Sequence, residues 1–86
     1  MTIWKYQLNT YAGETTLQLP AGATPLRVEY IDDEFCLWVL LDASNTLEPR
    51  TFVVFGTGVF IPDGYKYINT FFADGRVFHA FERIEQ

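Results

Sequence analysis

The sequence has one cysteine, Cys36, among its 86 residues. A single thiol cannot form an intramolecular disulfide, and it cannot supply the several cysteines of a structural zinc site. Histidine is equally scarce, because His79 is the only one. The composition therefore excludes a disulfide-stapled secreted fold, and we expect no metal and no cofactor.

Long hydrophobic runs are also missing. The longest covers residues 35–41, whereas a membrane helix needs about 20 apolar residues. The first residues, Met1 to Tyr6, lack the apolar segment of a secretory signal peptide. We therefore expect no membrane partner and take the cytoplasm as the default compartment.

Basic residues are few. Lys and Arg together number 6 against 11 Asp and Glu, which gives a formal net charge of −5. A protein that binds polymeric nucleic acid needs a basic surface to neutralise phosphates. We therefore expect no nucleic acid polymer as a partner. One small anion remains possible, because it needs only a few well-placed cations.

Apolar and aromatic residues are what the chain has in plenty. Apolar residues make up 49 % and aromatic residues 17 %, while charged residues reach only 20 %. Intrinsic disorder requires the opposite balance. The length fits one domain, which we place at residues 1–86. A domain of this size buries only about 60 % of its unfolded surface, so bulky rings must supply core volume.

The dominant period of the sequence is two. Residues 26–30 alternate strictly between apolar and polar, which is typical of a half-buried strand. Asp74-Gly75 separates two aromatic runs, residues 65–73 and 76–83, and this favours a β-hairpin. About seven such runs follow one another at roughly ten-residue spacing. The pattern predicts an all-β fold, a small antiparallel sandwich or barrel.

Turn residues bound the predicted strands. Asp32-Asp33 supplies turn chemistry, and we interpret residues 42–49 as a polar loop with room for one helical turn. Residues 59–61 are interpreted as a short strand, which ends at the turn signal Pro62-Asp63-Gly64.

Two of the predicted strands are apolar on both faces. Residues 35–41 and 52–55 carry large apolar side chains at odd and even positions alike. A strand in a small two-layer domain should have one face in water. We therefore expect a homo-oligomer with these strands near the subunit contact. The alternative is a closed barrel whose loops or N-terminal strand cover the outside.

Candidate catalytic and metal-binding residues are sparse. A catalytic His79 would need an orienting acid and a nucleophile, and no spacing selects them, so we expect a structural histidine that bonds to a neighbour. Cys36 lies between apolar residues and is expected to be buried. Asp32, Asp33 and Glu34 lack the spacing of a calcium loop, so a solvated turn is the better interpretation. We expect no enzymatic activity.

Gly56-Thr57-Gly58 is the one segment that suggests a ligand. Two glycines around a threonine can aim backbone N–H groups at a phosphate oxygen, although a strand exit that requires glycine explains the same residues. Arg50 is the cation nearest to this segment along the chain, and guanidinium groups bind phosphate in a bidentate manner. Aromatic rings such as Trp4, Tyr6, Tyr65 or Tyr67 could stack on a base, although a place in the core or at an interface is the better interpretation for most of them.

Several phrases of the sequence together resemble a family of short proteins encoded by bacteriophages and prophages. They are Ile3-Trp4-Lys5-Tyr6, Leu19-Pro20-Ala21-Gly22-Ala23, Cys36-Leu37-Trp38, Leu41-Asp42, Arg50-Thr51-Phe52, Gly56-Thr57-Gly58 and Phe78-His79-Ala80-Phe81-Glu82. Some small phage β-proteins of this kind are immune-evasion sponges, oligomers that sequester a cyclic nucleotide signal without cleaving it.

The resemblance implies an anti-defence protein of the host cytoplasm. It would bind a small anionic nucleotide at pockets of a homo-oligomer. The positions that the resemblance marks as ligand-binding candidates are Trp4, Lys5, Tyr6, Arg50, Gly56, Thr57, Gly58 and His79. Trp38 and Phe81 match the family pattern as well.

Two other functions stay open. An acidic surface with exposed aromatic residues suits a protein-interaction module, either an inhibitor of a host protein or a minor virion component. An enzyme with His79 as general base is the weakest hypothesis, because no nucleophile–base pair is recognisable.

Overall fold

The computed structural model describes residues 1–9 and 13–84. This part of the chain contains seven strands and no helix, so it has no helix that could cross a membrane. The all-β prediction is therefore confirmed. The strands are β1 (Thr2–Leu8), β2 (Glu14–Pro20), β3 (Thr24–Ile31), β4 (Glu34–Leu41), β5 (Leu47–Gly56), β6 (Tyr65–Ala73) and β7 (Arg76–Arg83).

The strands form two antiparallel sheets packed as a sandwich. The first sheet has the order β1-β4-β3 and the second has the order β2-β5-β7-β6. Strand β2 pairs with β5 in the second sheet, although its neighbours in sequence, β1 and β3, belong to the first. The predicted small antiparallel sandwich is confirmed.

Turn chemistry determines where two of the hairpins bend. Asp74 and Gly75 have φ values of 54° and 77°, and Asp32 and Asp33 have values of 52° and 65°. Two consecutive positive φ values are typical of a type I′ turn, whose twist matches that of the flanking strands. The hairpin predicted at Asp74-Gly75 is confirmed.

Two local predictions around β5 are wrong. Residues 47–49 are not part of a loop, because β5 begins at Leu47 and pairs from there with the end of β2. Residues 59–61 form no strand but lie in the segment between β5 and β6, where the Phe60 side chain is 83 % exposed. Local apolar character cannot create a strand without a neighbouring strand to pair with.

The core lies between the inward faces of the two sheets. Phe35 is central, because its ring packs edge-on against Phe71 at 5.4 Å and against Tyr30 at 5.6 Å. Aromatic pairs of this geometry contribute about 0.5–1.5 kcal/mol beyond burial of their area. The other large buried side chains include Leu8, Leu19, Val28, Leu37, Val39, Leu41 and Phe52.

The two doubly apolar strands are shielded within one chain. β4 is the middle strand of its sheet, and Cys36 on its outward face is only 1 % exposed. β5 lies between β2 and β7, and its outward-facing Val53 is 5 % exposed. Side chains of the flanking strands therefore provide much of the cover that we expected from a second copy. The homo-oligomer stays a prediction, but its basis must lie elsewhere on the surface.

One side chain joins the two sheets where β3 approaches β6. The Val28 N–H donates to Asn69 Oδ1 at 2.8 Å, and Asn69 Nδ2 donates to the Val28 carbonyl at 2.9 Å. The register of β6 against β7 shifts between Tyr67 and Asn69, which indicates a bulge there. Asn69 thus replaces a strand neighbour for Val28 and closes this edge of the first sheet.

Candidate functional site

Arg50 is held in a network with other groups of the chain. Its Nε donates to Glu82 Oε2 at 2.6 Å and its Nη2 donates to Glu82 Oε1 at 2.7 Å. Its Nη1 donates to the Ala23 carbonyl. The hydrogen bonds that Arg50 donates to Glu82 are the main cause of a raised pKa of the Arg50 guanidinium, so the cation is firmly retained. All three nitrogens are engaged, and a phosphate would have to displace Glu82.

Arg50 does not lie next to the glycine-rich segment, contrary to our expectation. Arg50 is the fourth residue of β5 and Gly56 is the last. Six residues of extended strand span about 20 Å. The nearby cation is Arg76, which lines an open cavity of about 440 Å³ together with Gly56, Thr57, Val77 and Phe78.

Gly56-Thr57-Gly58 forms the exit from β5. The Val59 N–H donates to the Gly56 carbonyl at 3.3 Å, and Gly58 has a φ of 90°. A positive φ confined to the third residue of such a turn is typical of type II, which requires glycine there. The Thr57 hydroxyl turns back and donates to the Val77 carbonyl at 3.1 Å. The geometry matches the strand-exit alternative.

His79 lies between two threonine hydroxyls. Its Nε2 is 2.8 Å from Thr57 Oγ1 and its Nδ1 is 2.9 Å from Thr70 Oγ1. The Thr57 hydroxyl has one proton and gives it to the Val77 carbonyl, so Thr57 can only accept from His79. Nε2 therefore carries a proton. In the neutral ring, Thr70 donates to Nδ1 and in turn accepts from the Tyr67 hydroxyl, 2.7 Å away.

This hydrogen-bond chain gives His79 a structural role. Both ring nitrogens bond to hydroxyls, and neither bonds to a carboxylate that could orient the ring as a general base. The expectation that His79 bonds to neighbouring residues is confirmed. Sequence reasoning missed its partner Thr70, whose only local signal is its place opposite His79 in the β6–β7 hairpin.

The other candidates from the N-terminal segment lie in the first sheet. Trp4, Lys5 and Tyr6 belong to β1, which pairs with β4, so they do not join Thr57 and His79 of the second sheet. Tyr6 packs against the core, whereas Trp4 is 47 % exposed. The structure therefore divides the eight candidates among three places and does not assemble them into one pocket within a single chain.

The remaining candidate groups form no reactive or metal-binding centre. Cys36 is buried as expected, and burial is the main cause that raises the pKa of its thiol. Asp32 and Asp33 occupy the β3–β4 turn, where the Tyr30 hydroxyl donates to Asp33 at 3.2 Å. Over residues 1–9 and 13–84 no cluster of three or more His, Cys, Asp or Glu side chains could hold a metal ion.

Sequence reasoning named Tyr65 and Tyr67 as possible stacking rings but missed that they belong to an aromatic face on the outside of the second sheet. Phe55 packs edge-on against Tyr65 and against Phe81, and Tyr67 packs against Phe81, each at 5.5 Å between ring centroids. Phe72 lies on the same side and is 76 % exposed. We call these five residues (Phe55, Tyr65, Tyr67, Phe72 and Phe81) the aromatic face. The sequence gives a weak indication of this face, because Tyr65 and Tyr67 lie on either side of Lys66 and therefore point to the same side of the strand.

Comparison with known proteins identifies a family whose description gives no function. The family model described as a domain of unknown function, DUF7352, matches residues 1–86. No curated protein and no solved structure matches the chain.

Proposed function

Because the chain belongs to the DUF7352 family, whose description names no function, we propose from its own surface that it is a non-catalytic binding module. It docks onto a basic partner protein through the aromatic face. The observation that carries this proposal is a set of five rings on the outer side of one sheet, beside the ion pair of Arg83 with Glu14.

Two rings of the aromatic face are the strongest candidate contacts. Phe72 is 76 % exposed and Tyr67 is 54 % exposed. An aromatic side chain has about 150–250 Å² to bury, so the two rings together offer about 250 Å² to a partner. At about 25 cal/mol per Å² this area is worth about 6 kcal/mol before the costs of association. Exposed rings of this kind dominate the energy of many interfaces.

The charge of the chain selects the kind of partner. A net charge of −5 on 86 residues repels other acidic proteins and attracts basic ones. Such long-range attraction accelerates encounter and weakens with salt, while the apolar rings supply the lasting contact. We therefore expect a partner that surrounds an apolar patch with Lys and Arg.

The aromatic face can be tested by comparative capture. The tagged protein, a Phe72→Ser variant and an Ile31→Ser control are each incubated with the same lysate. Ile31 is an exposed apolar residue of the first sheet, 37 % exposed, so its substitution leaves the aromatic face intact. We expect one stoichiometric basic protein with the wild type and the control, lost with Phe72→Ser and released by salt.

The purified partner must then bind directly in calorimetry, with Phe72→Ser weaker by at least tenfold, about 1.4 kcal/mol. Capture of the same proteins by all three variants contradicts the assignment of the aromatic face. Failure to capture any stoichiometric partner contradicts the proposed function itself.

Sequestration of a small cyclic nucleotide is a second candidate. The observation that favours it is the cavity in which Arg76 joins Gly56 and Thr57. Calorimetry against a panel of cyclic dinucleotides and trinucleotides tests it, with Arg76→Ala and Arg50→Ala compared. If Arg76 pairs with a phosphate, its removal should weaken binding by about 1.5–3 kcal/mol. If no nucleotide of the panel binds, this candidate function is rejected.

A further inference from the structure

Strand β1 is a long and regular edge of the sandwich. It lies at the end of the first sheet and, within the described part of the chain, pairs only with β4, in an unbroken register from Thr2 to Leu8. It contains no proline and no bulge. The opposite edge, β3, carries a register shift between Pro25 and Arg27 and is closed by Asn69. Long regular edges without such devices are templates for pairing with another strand.

The hydrogen bonds of Asn69 reveal which backbone groups of β1 point outward. Val28 turns its N–H and its C=O towards Asn69, and therefore away from β4. In an antiparallel ladder, residues alternate between facing one neighbour and facing the other. Leu37, the partner of Val28 in β4, must then face β1 and bond to Tyr6. It follows that the even-numbered residues of β1 bond to β4.

The odd-numbered residues of β1 consequently turn their backbone groups away from β4, and no other strand of residues 1–9 and 13–84 pairs with them. These are Ile3, Lys5 and Gln7. An independent contact supports the same parity: the Asn9 N–H, two residues beyond Gln7, points away from β4 and donates to Thr15 Oγ1 of β2 at 2.7 Å. Asn9 is therefore already partnered, and the open edge extends from the N-terminus to Gln7.

The side chains of β1 match this open edge. Ile3 is 56 % exposed and Trp4 is 47 % exposed, and they lie on opposite faces of the strand. Large apolar side chains on both faces of an edge strand lose water contact when another strand pairs beside them. In an acidic chain, β1 carries one charge, Lys5, and no Asp or Glu. Repulsion between two acidic copies is therefore low along this strand.

We propose that two copies of the chain pair through β1, antiparallel, about a two-fold axis at Trp4. This arrangement joins the two first sheets into one continuous six-stranded sheet. Trp4 lies opposite Trp4 of the partner subunit, and Ile3 lies opposite Lys5 of the partner subunit. Both faces of the edge are then covered, and the outward backbone groups of Ile3 and Lys5 are satisfied.

Charge repulsion excludes one other register, and the hydrogen bond of Asn9 excludes a second. An axis at Lys5 places two ammonium groups directly opposite each other, which destabilises a strand pair. An axis at Tyr6 requires Asn9 to pair across the interface, but the Asn9 N–H is bound to Thr15. The Trp4 axis therefore gives the longest pairing without a conflict.

The dimer is tested by light scattering after size exclusion. We expect twice the mass of the chain for the wild type at about 100 µM, a concentration at which a dimer with a micromolar Kd is almost fully formed. Lys5→Pro removes an outward N–H and keeps the ladder to β4, so it should give a folded monomer. Trp4→Lys should do the same by charge repulsion, whereas the control Ile31→Lys, in the same sheet, should stay dimeric. Circular dichroism verifies that each variant is folded.

A monomeric wild type overturns the proposal. A dimer that survives both Lys5→Pro and Trp4→Lys overturns it as well, because the interface must then lie elsewhere. Neither result affects the aromatic face, which is tested through Phe72 and a different partner.

Disulfide trapping tests the register. In the proposed dimer the Trp4 positions form a pair without backbone hydrogen bonds, whose Cα atoms lie about 4.5 Å apart, within the range that a disulfide bridges. In a Cys36→Ala background, Trp4→Cys should cross-link quantitatively under mild oxidation with diamide. Lys5→Cys should remain mostly unlinked, because its opposite residue is Ile3. Preferential linking of Lys5→Cys overturns the register.

Discussion

Replacing Arg50 by methionine separates a structural role of this residue from a ligand-binding one. The substitution preserves the aliphatic stem and removes the guanidinium. Glu82 then keeps its negative charge without a partner, with only 15 % of its side chain exposed. The Ala23 carbonyl also loses its donor. We expect the folded protein to be clearly destabilised even in the absence of any ligand.

The magnitude follows from the burial of the ion pair. Removing one partner of a fully buried pair costs about 3–5 kcal/mol, whereas an exposed pair is worth about 0.2–1 kcal/mol. The side chains of Arg50 and Glu82 are 19 % and 15 % exposed, closer to the buried limit. We therefore expect Arg50→Met to lower the free energy of unfolding by about 2–3 kcal/mol. In a domain of this size the Tm should fall by about 10–20 °C.

A double variant supplies the control. Arg50→Met combined with Glu82→Leu leaves no charge unpaired, so it should recover to within about 1 kcal/mol of the wild type. Urea unfolding, followed by the fluorescence of Trp4 and Trp38, measures the stabilities of the wild type, the two single variants and the double variant. All four proteins are measured at one concentration, because association would shift their apparent stability. A free energy of unfolding of Arg50→Met within about 0.5 kcal/mol of the wild-type value would contradict the structural role of this ion pair. A double variant that loses the sum of the two single losses would contradict it as well.

Three further predictions concern Asn69, the turn at Gly58 and the thiol of Cys36. Asn69→Ala should cost about 1–3 kcal/mol, because the backbone N–H and C=O of buried Val28 lose their partners, and faster hydrogen exchange of the Val28 amide should accompany it; unchanged exchange would contradict this role. Gly58→Ala should cost about 1–2 kcal/mol at its φ of 90°, whereas Gly56→Ala, with its nearest side-chain atom 3.9 Å away, should cost less in the same urea titration; equal losses would argue against the turn. Burial raises the pKa of the Cys36 thiol, so the folded chain keeps a proton that the unfolded chain releases, and stability should fall as pH rises above about 8.5. A Cys36→Ala variant should lack that part of the pH dependence, and identical pH profiles would refute the assignment.

The fold class was predictable because its signals are local. Period-two alternation in residues 26–30 and the Asp74-Gly75 turn each determine a strand or a hairpin from a few adjacent residues. The pairing of β2 with β5 was not predictable, because no property of residues 14–20 distinguishes a partner in one sheet from a partner in the other. Strand pairing depends on the packing of the whole sandwich, which single-strand patterns do not contain.

The candidate site was harder to predict for a related reason. Arg50 is close to Gly56 along the chain, but Glu82, 32 residues away in sequence, binds its guanidinium. The hydrogen bonds between His79 and the hydroxyls of Thr57 and Thr70 likewise depend on strand pairing. The burial of Cys36 was predictable, because its neighbours in sequence are apolar. The roles of Arg50 and Asn69 depend on partners that only the fold brings together.

The passage of β2 into the second sheet has a consequence for synthesis on the ribosome. While the nascent chain ends near residue 41, β1, β3 and β4 can already assemble, but β2 has no neighbour until β5 has emerged up to Gly56. In a fragment that ends before β5, β2 has no strand to pair with, although β1 and β3 on either side of it in sequence pair with β4. Such an unpaired strand promotes aggregation. We expect no stable N-terminal subdomain. We expect the two sheets to fold together in a single cooperative step, late in translation.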